Sequence, residues 1–181
     1  MSYKTPLVFD GHNDVLLKIF KEGGIDKAAT FAVGRDGAID LKKAKAGGFG
    51  GGFFAVYVPS PIDLDFKYQE MTKDSYDLPL PDPIVWSDAV SVVAEQVAIL
   101  LQLEKQGSLE ICRSAQDIRR TFSTGKIAAI FHIEGAEAID PDLHMLEVLH
   151  TAGLRSVGPV WSRSTIFGNG VPFRYPSSPD I

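Results

Sequence analysis

Four apolar runs separated by segments with helical spacing place the strongest constraint on how this 181-residue chain can fold. The runs are rich in β-branched and aromatic residues and are mostly continuous rather than alternating, which is typical of strands covered on both faces. They occupy residues 7–10, 52–58, 127–133 and 156–161. Because strands and helices alternate along the chain, the sequence predicts right-handed β-α-β units, and therefore an α/β fold with a parallel sheet.

Capping residues mark the helices between these runs. The predicted helices begin at Asp40, Ser87, Ser114 and Asp140, and they end near Gly47–Gly48, Gly107, Gly125 and Gly153. Pro141 would occupy the first position of the last helix, where no partner is needed for the missing N–H. A further short buried strand is predicted at residues 109–113, and it holds Cys112, the single cysteine of the chain.

Two segments lack this periodicity. Residues 59–84 are rich in proline and aspartate and are predicted to form a long loop or lid. Residues 162–181 contain glycines and prolines with no periodic pattern, and the chain stops inside this second loop without a closing element.

The composition narrows the classes of partner. The chain is 45% hydrophobic and 23% charged, with a net charge of −5 and no clustered stripe of lysine and arginine. It therefore lacks the electrostatic footprint expected for nucleic acid or an anionic membrane surface. The first residues have no apolar run of the signal-peptide kind, and no stretch approaches the roughly 20 apolar residues of a membrane helix. We therefore expect a cytoplasmic protein with no nucleic-acid or membrane partner.

His12 and Asp14 follow directly on the first predicted strand. Side chains two residues apart in an extended chain point to the same side, so both should face one space at the carboxyl end of that strand. An imidazole nitrogen and a carboxylate oxygen suit zinc or a similar divalent ion. Asp10 shares this parity and is a candidate to support the ligands from below. The alternative is a simple strand-to-turn junction, because Asp, Gly and Asn are common turn formers.

Glu134 ends the third apolar run and is followed by Gly135. A carboxylate at the end of a buried strand must be paired or metal-bound, because burying an isolated charge is costly. Its two oxygens could bridge two ions spaced about 3.5–4 Å apart. The alternative is a helix cap, or a salt bridge with Arg155 or Arg163. His132 has the same parity as Glu134 and is interpreted as a core histidine.

Five segments together resemble the amino-terminal half of the renal (membrane) dipeptidase family, the zinc dipeptidases of peptidase family M19. They are residues 9–14, 46–57, 125–128, 133–135 and 153–155. The resemblance implies a (β/α)8 TIM barrel of the metal-dependent hydrolase type, with only about the first four β/α units present. Residues 1–181 would then form the amino-terminal half of a single barrel domain.

The same resemblance implies a site with two zinc ions. His12 and Asp14 would bind the first ion, and Glu134 would bridge both ions as the catalytic residue. A metal-bridging hydroxide would attack the peptide carbonyl of a dipeptide. Family members supply two histidines from the fifth and sixth strands and an aspartate from the eighth, and those strands lie outside this chain. The remaining half of the barrel is therefore an expected partner, and a homodimer is a candidate assembly.

The chain departs from the family after the fourth strand. Many members have a substrate-binding histidine there, where this chain has Trp161. An indole offers one donor, whereas imidazole can both donate and accept, so Trp161 is predicted to form an aromatic wall of the substrate pocket. Arg163 is a candidate to bind the substrate carboxylate in place of the histidine.

Two other functions stay open from the sequence. The first is another amidohydrolase-like activity on the same barrel, such as that of a lactonase or a deaminase. Those enzymes more often carry His-x-His on the first strand, and Asp14 favours the dipeptidase. The second is a non-catalytic half-barrel that serves as a binding or assembly partner, because half a barrel leaves two sheet edges unpaired.

Overall fold

A computed structural model describes residues 6–60 and 69–176. Its strands are β1 (Val8–Asn13), β2 (Phe49–Tyr57), β3 (Tyr76–Leu78), β4 (Leu109–Ile111), β5 (Ile127–Glu134), β6 (Leu154–Gly158) and β7 (Phe173–Tyr175). Its helices are α1 (Val15–Lys21), α2 (Thr30–Val33), α3 (Leu41–Ala46), α4 (Trp86–Lys105), α5 (Ala115–Thr124) and α6 (His144–Ala152), with a 3-10 turn at Gly24–Lys27.

The main sheet has five strands, and all its pairings are parallel. β2 lies between β1 and β5, and the far edge of β5 is shared by two strands. β4 pairs with the first part of β5, at Ile127–Ala129, and β6 pairs with residues 131–134. β3 and β7 form a separate antiparallel ribbon. The predicted α/β fold with a parallel sheet is confirmed, whereas closure of this sheet into a (β/α)8 barrel stays a prediction.

The two faces of the sheet differ in burial. Phe54, Val56, Phe131 and Ile133 are at most 1% exposed and join the apolar cluster that contains the buried faces of α1 and α4. Residues of the opposite parity, such as Phe53, Ile130, His132 and Glu134, are only partly buried. The register aligns Phe53 with Ile130, Ala55 with His132 and Tyr57 with Glu134, so these residues share one face. We call it the open face, and it carries the candidate site.

The strand predictions were right in kind and differ at their ends. β1 continues to Asn13, beyond the predicted residues 7–10, and β6 begins at Leu154 and ends at Gly158 instead of spanning 156–161. The predicted loop 59–84 contains β3, and the predicted loop 162–181 contains β7; the two strands pair. Periodicity did not reveal these two strands, because alternation is recognised over about 4–8 residues and each of them has three. Residues 61–68 and 177–181 of these loops lie outside the described residues.

Two of the four predicted helix starts are confirmed, together with their caps. The Asp40 carboxylate accepts a hydrogen bond from the Lys43 N–H at 2.8 Å, and the Ser114 hydroxyl accepts one from the Asp117 N–H at 3.1 Å. These bonds satisfy N–H groups that have no partner within their helices. The hydrogen bond from the Lys43 N–H also lowers the pKa of Asp40 to about 2.

The other two helix starts were predicted wrongly. α4 begins at Trp86 without a side-chain cap. The Trp86 indole N–H donates to the Ala138 carbonyl at 3.0 Å, and this bond ties the first turn of the helix to the loop after β5. α6 begins at His144 rather than after Pro141. Asp140 still caps it, since its carboxylate accepts hydrogen bonds from the N–H groups of His144 and Met145. These starts depend on tertiary contacts that a local pattern does not show.

α4 is long and apolar enough, by length and composition, to count as a candidate membrane span, which the sequence reading had not anticipated. Of its most apolar 18-residue stretch, 39% is buried inside the structure. The same helix packs Val93, Leu100 and Leu103 into the main apolar cluster. Core helices of this length meet the same criterion, so the observation by itself is weak evidence for a membrane.

Gln96 on α4 completes the hydrogen bonding at the end of β2. Its side chain is fully buried, donates to the Tyr57 carbonyl at 2.6 Å and accepts from the Tyr57 N–H at 3.2 Å. The register shows β1 ending opposite Phe54, three residues before Tyr57. One glutamine therefore forms hydrogen bonds with both backbone groups of Tyr57, where β1 no longer reaches. It thereby fixes the position of the end of β2 beside β5.

Replacing Gln96 with leucine should destabilise the protein by about 2–6 kcal/mol, because two buried backbone groups would each lose a partner at about 1–3 kcal/mol. Gln102→Leu, on a half-buried position of the same helix, is the matched control and should cost no more than about 0.5 kcal/mol. Urea denaturation of the three proteins measures the difference. Equal stabilities for the two variants would contradict the role given to Gln96.

Gly51 lies where β2 passes closest to its neighbours. A methyl group there would overlap the Ala128 carbonyl oxygen and lie 2.9 Å from both Ala128 Cβ and Phe9 Cε2. Gly51→Ala should therefore lower the free energy of unfolding by about 1–3 kcal/mol or more, as overpacking does.

Gly168→Ala is the control for this change, since nothing lies within 4 Å of the added methyl group. It should stay within about 0.5 kcal/mol of the parent protein. Thermal or urea unfolding checks both values, and a stable Gly51→Ala protein would show that β2 and β5 can separate at this point without loss.

Candidate metal centre

Asn13 fixes the end of β1 and thereby the positions of the residues next to it in the chain. Its side-chain amide donates to Asp10 Oδ2 at 3.0 Å and to the Phe53 carbonyl at 3.1 Å, and its Oδ1 accepts from the Val15 N–H at 3.4 Å. The residue is 7% exposed, so these bonds form away from competing water. Asn13 joins β1, β2 and the start of α1, and it leaves the flanking residues to project from the strand end. Sequence reasoning treated Asn13 only as a turn former.

His12, Asp14 and Glu134 converge as predicted from their parity and their positions at strand ends. His12 Nε2 lies 3.4 Å from Asp14 Oδ1 and 3.4 Å from Glu134 Oε2. One donor atom from each residue lies within 4.8 Å of the other two. Their side chains are 26–45% exposed, so the cluster is open to solvent on the open face.

These separations fit a divalent metal. Zinc binds imidazole nitrogen at about 2.0–2.1 Å and carboxylate oxygen at about 2.0–2.2 Å, so two ligands of a tetrahedral ion lie about 3.3–3.5 Å apart. The two measured distances from His12 Nε2 fall in that range. One nitrogen and two carboxylate oxygens also match the chemistry of zinc sites.

The electrostatics of Glu134 favour a bound cation. Desolvation by burial raises the pKa of its carboxyl group, the proximity of His12 opposes the shift, and the charges of Asp14 and Glu137 raise it further. Neighbouring carboxylates repel one another, and a metal ion offsets that repulsion.

His132 lies next to this cluster rather than within it. Its ring centroid is 5.8 Å from that of His12, and its Nδ1 lies 2.9 Å from the Ser156 hydroxyl. Burial lowers the pKa of His132, and the nearby His12 lowers it further. A neutral, half-buried histidine with a hydrogen-bond partner is consistent with the core role expected from the sequence.

Glu134 does not form the salt bridges considered as alternatives to metal binding. Arg155 donates to the carbonyl oxygens of Arg113, His150 and Leu154. Arg163 pairs with Glu137, with Nε 3.0 Å from Oε1. Among the described residues, the ion pair found for Glu134 is the one with His12.

The two residues predicted to bind substrate lie in the connection after β6. The Trp161 ring packs edge-on against Tyr57 at 5.4 Å and against Phe173 at 6.1 Å. Burial raises the pKa of Tyr57 to about 12, against the opposing charge of Arg163, so its hydroxyl stays protonated. Arg163 is 1% exposed. The substrate-binding roles of Trp161 and Arg163 stay predictions.

A second cluster of possible ligand atoms contains Asp140, Asp142 and His144. Asp140 uses both carboxylate oxygens to cap α6, and the other two residues are exposed. This helix cap accounts for the grouping, so it does not compete with the centre at the strand ends.

The chain is similar to a known family of dipeptidases. Residues 3–177 match the model of a family described as membrane dipeptidase, peptidase family M19. An uncharacterised protein encoded in the PQQ-III 3′ region of Acinetobacter calcoaceticus is 34% identical over 96% of this chain and 54% of its own length. The dipeptidase ataJ of Aspergillus terreus is 23% identical over 97% of this chain and 40% of its own length.

A solved structure shows the same backbone. A metallopeptidase from Rhodobacter sphaeroides, liganded with a phosphinate mimic of the dipeptide L-Ala-D-Ala, superposes with a TM-score of 0.89 and 44% identity. The match covers 98% of this chain and 52% of that protein, so the chain spans about half the length of such relatives. With the family model matching nearly the whole chain, the protein belongs to the membrane dipeptidase family, peptidase family M19.

Proposed function

We propose that the whole protein is a zinc-dependent dipeptidase and that this chain supplies one part of its binuclear centre. The observation that carries the proposal is the convergence of His12, Asp14 and Glu134 within 4.8 Å at the ends of β1 and β5. Membership of the M19 family and the dipeptide mimic bound by the Rhodobacter sphaeroides relative support the reaction and the substrate class.

In this proposal each residue has a defined task. His12 and Asp14 would hold the first ion, and Glu134, the catalytic residue, would be a ligand shared by both ions. Zinc held there would supply a water-derived nucleophile near neutral pH and would polarise the substrate carbonyl. Asn13 fixes the strand end that carries two of the ligands, and Gln96 fixes the end of β2 beside Glu134. The half-exposed cluster leaves room for a dipeptide to approach.

The remaining ligands would come from chain beyond these residues. The relatives are about twice as long as this chain, and Phe9, which packs edge-on against Phe53, is 39% exposed. A second set of strands packed against the open face would bury it and complete a barrel. The cytoplasmic location and the homodimer stay predictions.

Glu134→Gln in the full-length protein should remove the bridging charge while keeping the shape of the side chain. We expect less bound zinc and a loss of kcat/KM for dipeptides at least as large as the roughly 10–100-fold that changes behind metal ligands typically cause. Glu147→Gln, at an exposed position on α6, is the control and should match the parent protein. Metal analysis and steady-state kinetics measure both effects.

Full activity of the Glu134→Gln protein, with an unchanged zinc content, would contradict the proposal. A panel that includes lactones decides between the dipeptidase and other amidohydrolase-like activities. A parent protein that hydrolyses lactones but no dipeptide would assign the same metal centre to a different reaction.

Removal of metal should lower stability as well as activity. A ligand that binds only the folded state stabilises it by RT ln(1 + [L]/Kd), about 2.7 kcal/mol at a hundred times Kd. Chelator-treated protein should therefore unfold at a lower temperature, and added zinc should restore both stability and dipeptide hydrolysis. A His12→Ala variant should show no such response to zinc at the same concentration, whereas an identical zinc-induced shift would place the ion elsewhere.

A further inference from the structure

Arg163 is the largest side chain that the described part of the molecule buries completely. A guanidinium cannot shed its proton at ordinary pH, so each of its buried N–H groups needs a partner. Nε donates to Glu137 Oε1 at 3.0 Å, Nη1 donates to the Ser60 hydroxyl at 2.8 Å, and Nη2 donates to the Val58 carbonyl. All three nitrogens are therefore engaged within the protein.

Arg163 and its partners come from three different connections. Val58 and Ser60 follow β2, Glu137 follows β5, and Arg163 itself follows β6. These three strands are neighbours in the sheet, and the connections all leave from their carboxyl ends. One side chain thus ties together the chain segments that surround the end of β5, where Glu134 lies.

The same side chain contributes to the position of two aromatic rings. The guanidinium carbon lies 5.6 Å from the centroid of the Tyr57 ring, and Trp161 packs edge-on against that ring at 5.4 Å. Tyr57 is opposite Glu134 in the register of β2 and β5. Tyr57 and Trp161, which we call the aromatic wall, are therefore held next to the metal ligand by Arg163.

We infer that Arg163 is a positioning residue for substrate selection: it holds the aromatic wall beside Glu134, and the wall contacts an apolar side chain of the dipeptide. The inference rests on the proposed dipeptidase function. The inference takes the place of the earlier prediction that Arg163 binds the substrate carboxylate directly. Arg163 is 1% exposed, and its charge is already paired with that of Glu137, whose side chain is 4% exposed.

The two roles predict different patterns of substrate preference. Every dipeptide has a carboxylate, so loss of a carboxylate-binding arginine would raise KM equally for all of them. Loss of the aromatic wall would weaken the binding of dipeptides with large apolar side chains and would have a smaller effect on the binding of Gly-Gly. An apolar pocket distinguishes substrates that differ by a methylene by roughly 10-fold or more.

The experiment uses the full-length, zinc-loaded protein with Gly-Gly, Leu-Gly and Gly-Leu, with leucine in both chiral forms. Arg163→Lys keeps the charge but lacks the planar fork of donors. Arg163→Met combined with Glu137→Met removes the buried pair without leaving one charge unpaired, which protects against simple misfolding. Both variants should lose about 10-fold in the preference for a leucine dipeptide over Gly-Gly, seen mainly in KM, with zinc content unchanged.

A second readout does not depend on turnover. In a background where Trp86 and every other tryptophan of the full-length protein except Trp161 are replaced with phenylalanine, both variants should make the Trp161 fluorescence more accessible to acrylamide. An equal rise in KM for all dipeptides would overturn the inference and restore direct carboxylate binding. Unchanged preference, or unchanged quenching, would also overturn it. A parent protein that cleaves no dipeptide would overturn the proposed function together with the inference. The other outcomes overturn the inference alone, so the two failures are distinguishable.

Discussion

The parallel register between β2 and β5 is the constraint on which the candidate site depends. It places Tyr57 opposite Glu134 and Ala55 opposite His132 on one face of the sheet. Because side chains alternate along a strand, a shift of one residue would send Glu134 into the apolar cluster and bring Ile133 to the open face. The tight packing of Phe54 and Phe131 on the helical face excludes that alternative, so the core selects the arrangement of the site.

Strand ends leave backbone groups without neighbours, and buried polar side chains take over the missing contacts. Asn13 donates to the Phe53 carbonyl, and Gln96 bonds both backbone groups of Tyr57. Arg163 acts similarly on the Val58 carbonyl, one residue farther on. These three side chains come from β1, α4 and the connection after β6. Together they hold the end of β2 in a single position beside the candidate ligands.

The sequence predicted the parts of the structure that depend on local rules. Strand alternation and parity were enough to bring His12, Asp14 and Glu134 together, and short-range side-chain bonds were enough to place the caps at Asp40 and Ser114. Long-range choices were not accessible. The start of α4 depends on a bond between Trp86 and Ala138, 52 residues apart, and the bond between Arg163 and Val58 spans 105 residues. A single sequence does not indicate which distant group such a side chain meets.

The contacts of Arg163 also limit where the chain can change in length. Ser60 lies three residues after the end of β2, Glu137 three residues after the end of β5, and Arg163 five residues after the end of β6. An insertion in any of these short spacers would pull a partner away from a guanidinium that has no access to water. An insertion farther along the last connection, such as in the exposed turn at residues 166–169, leaves these contacts in place. Changes in length are therefore better accommodated at a distance from the candidate metal ligands.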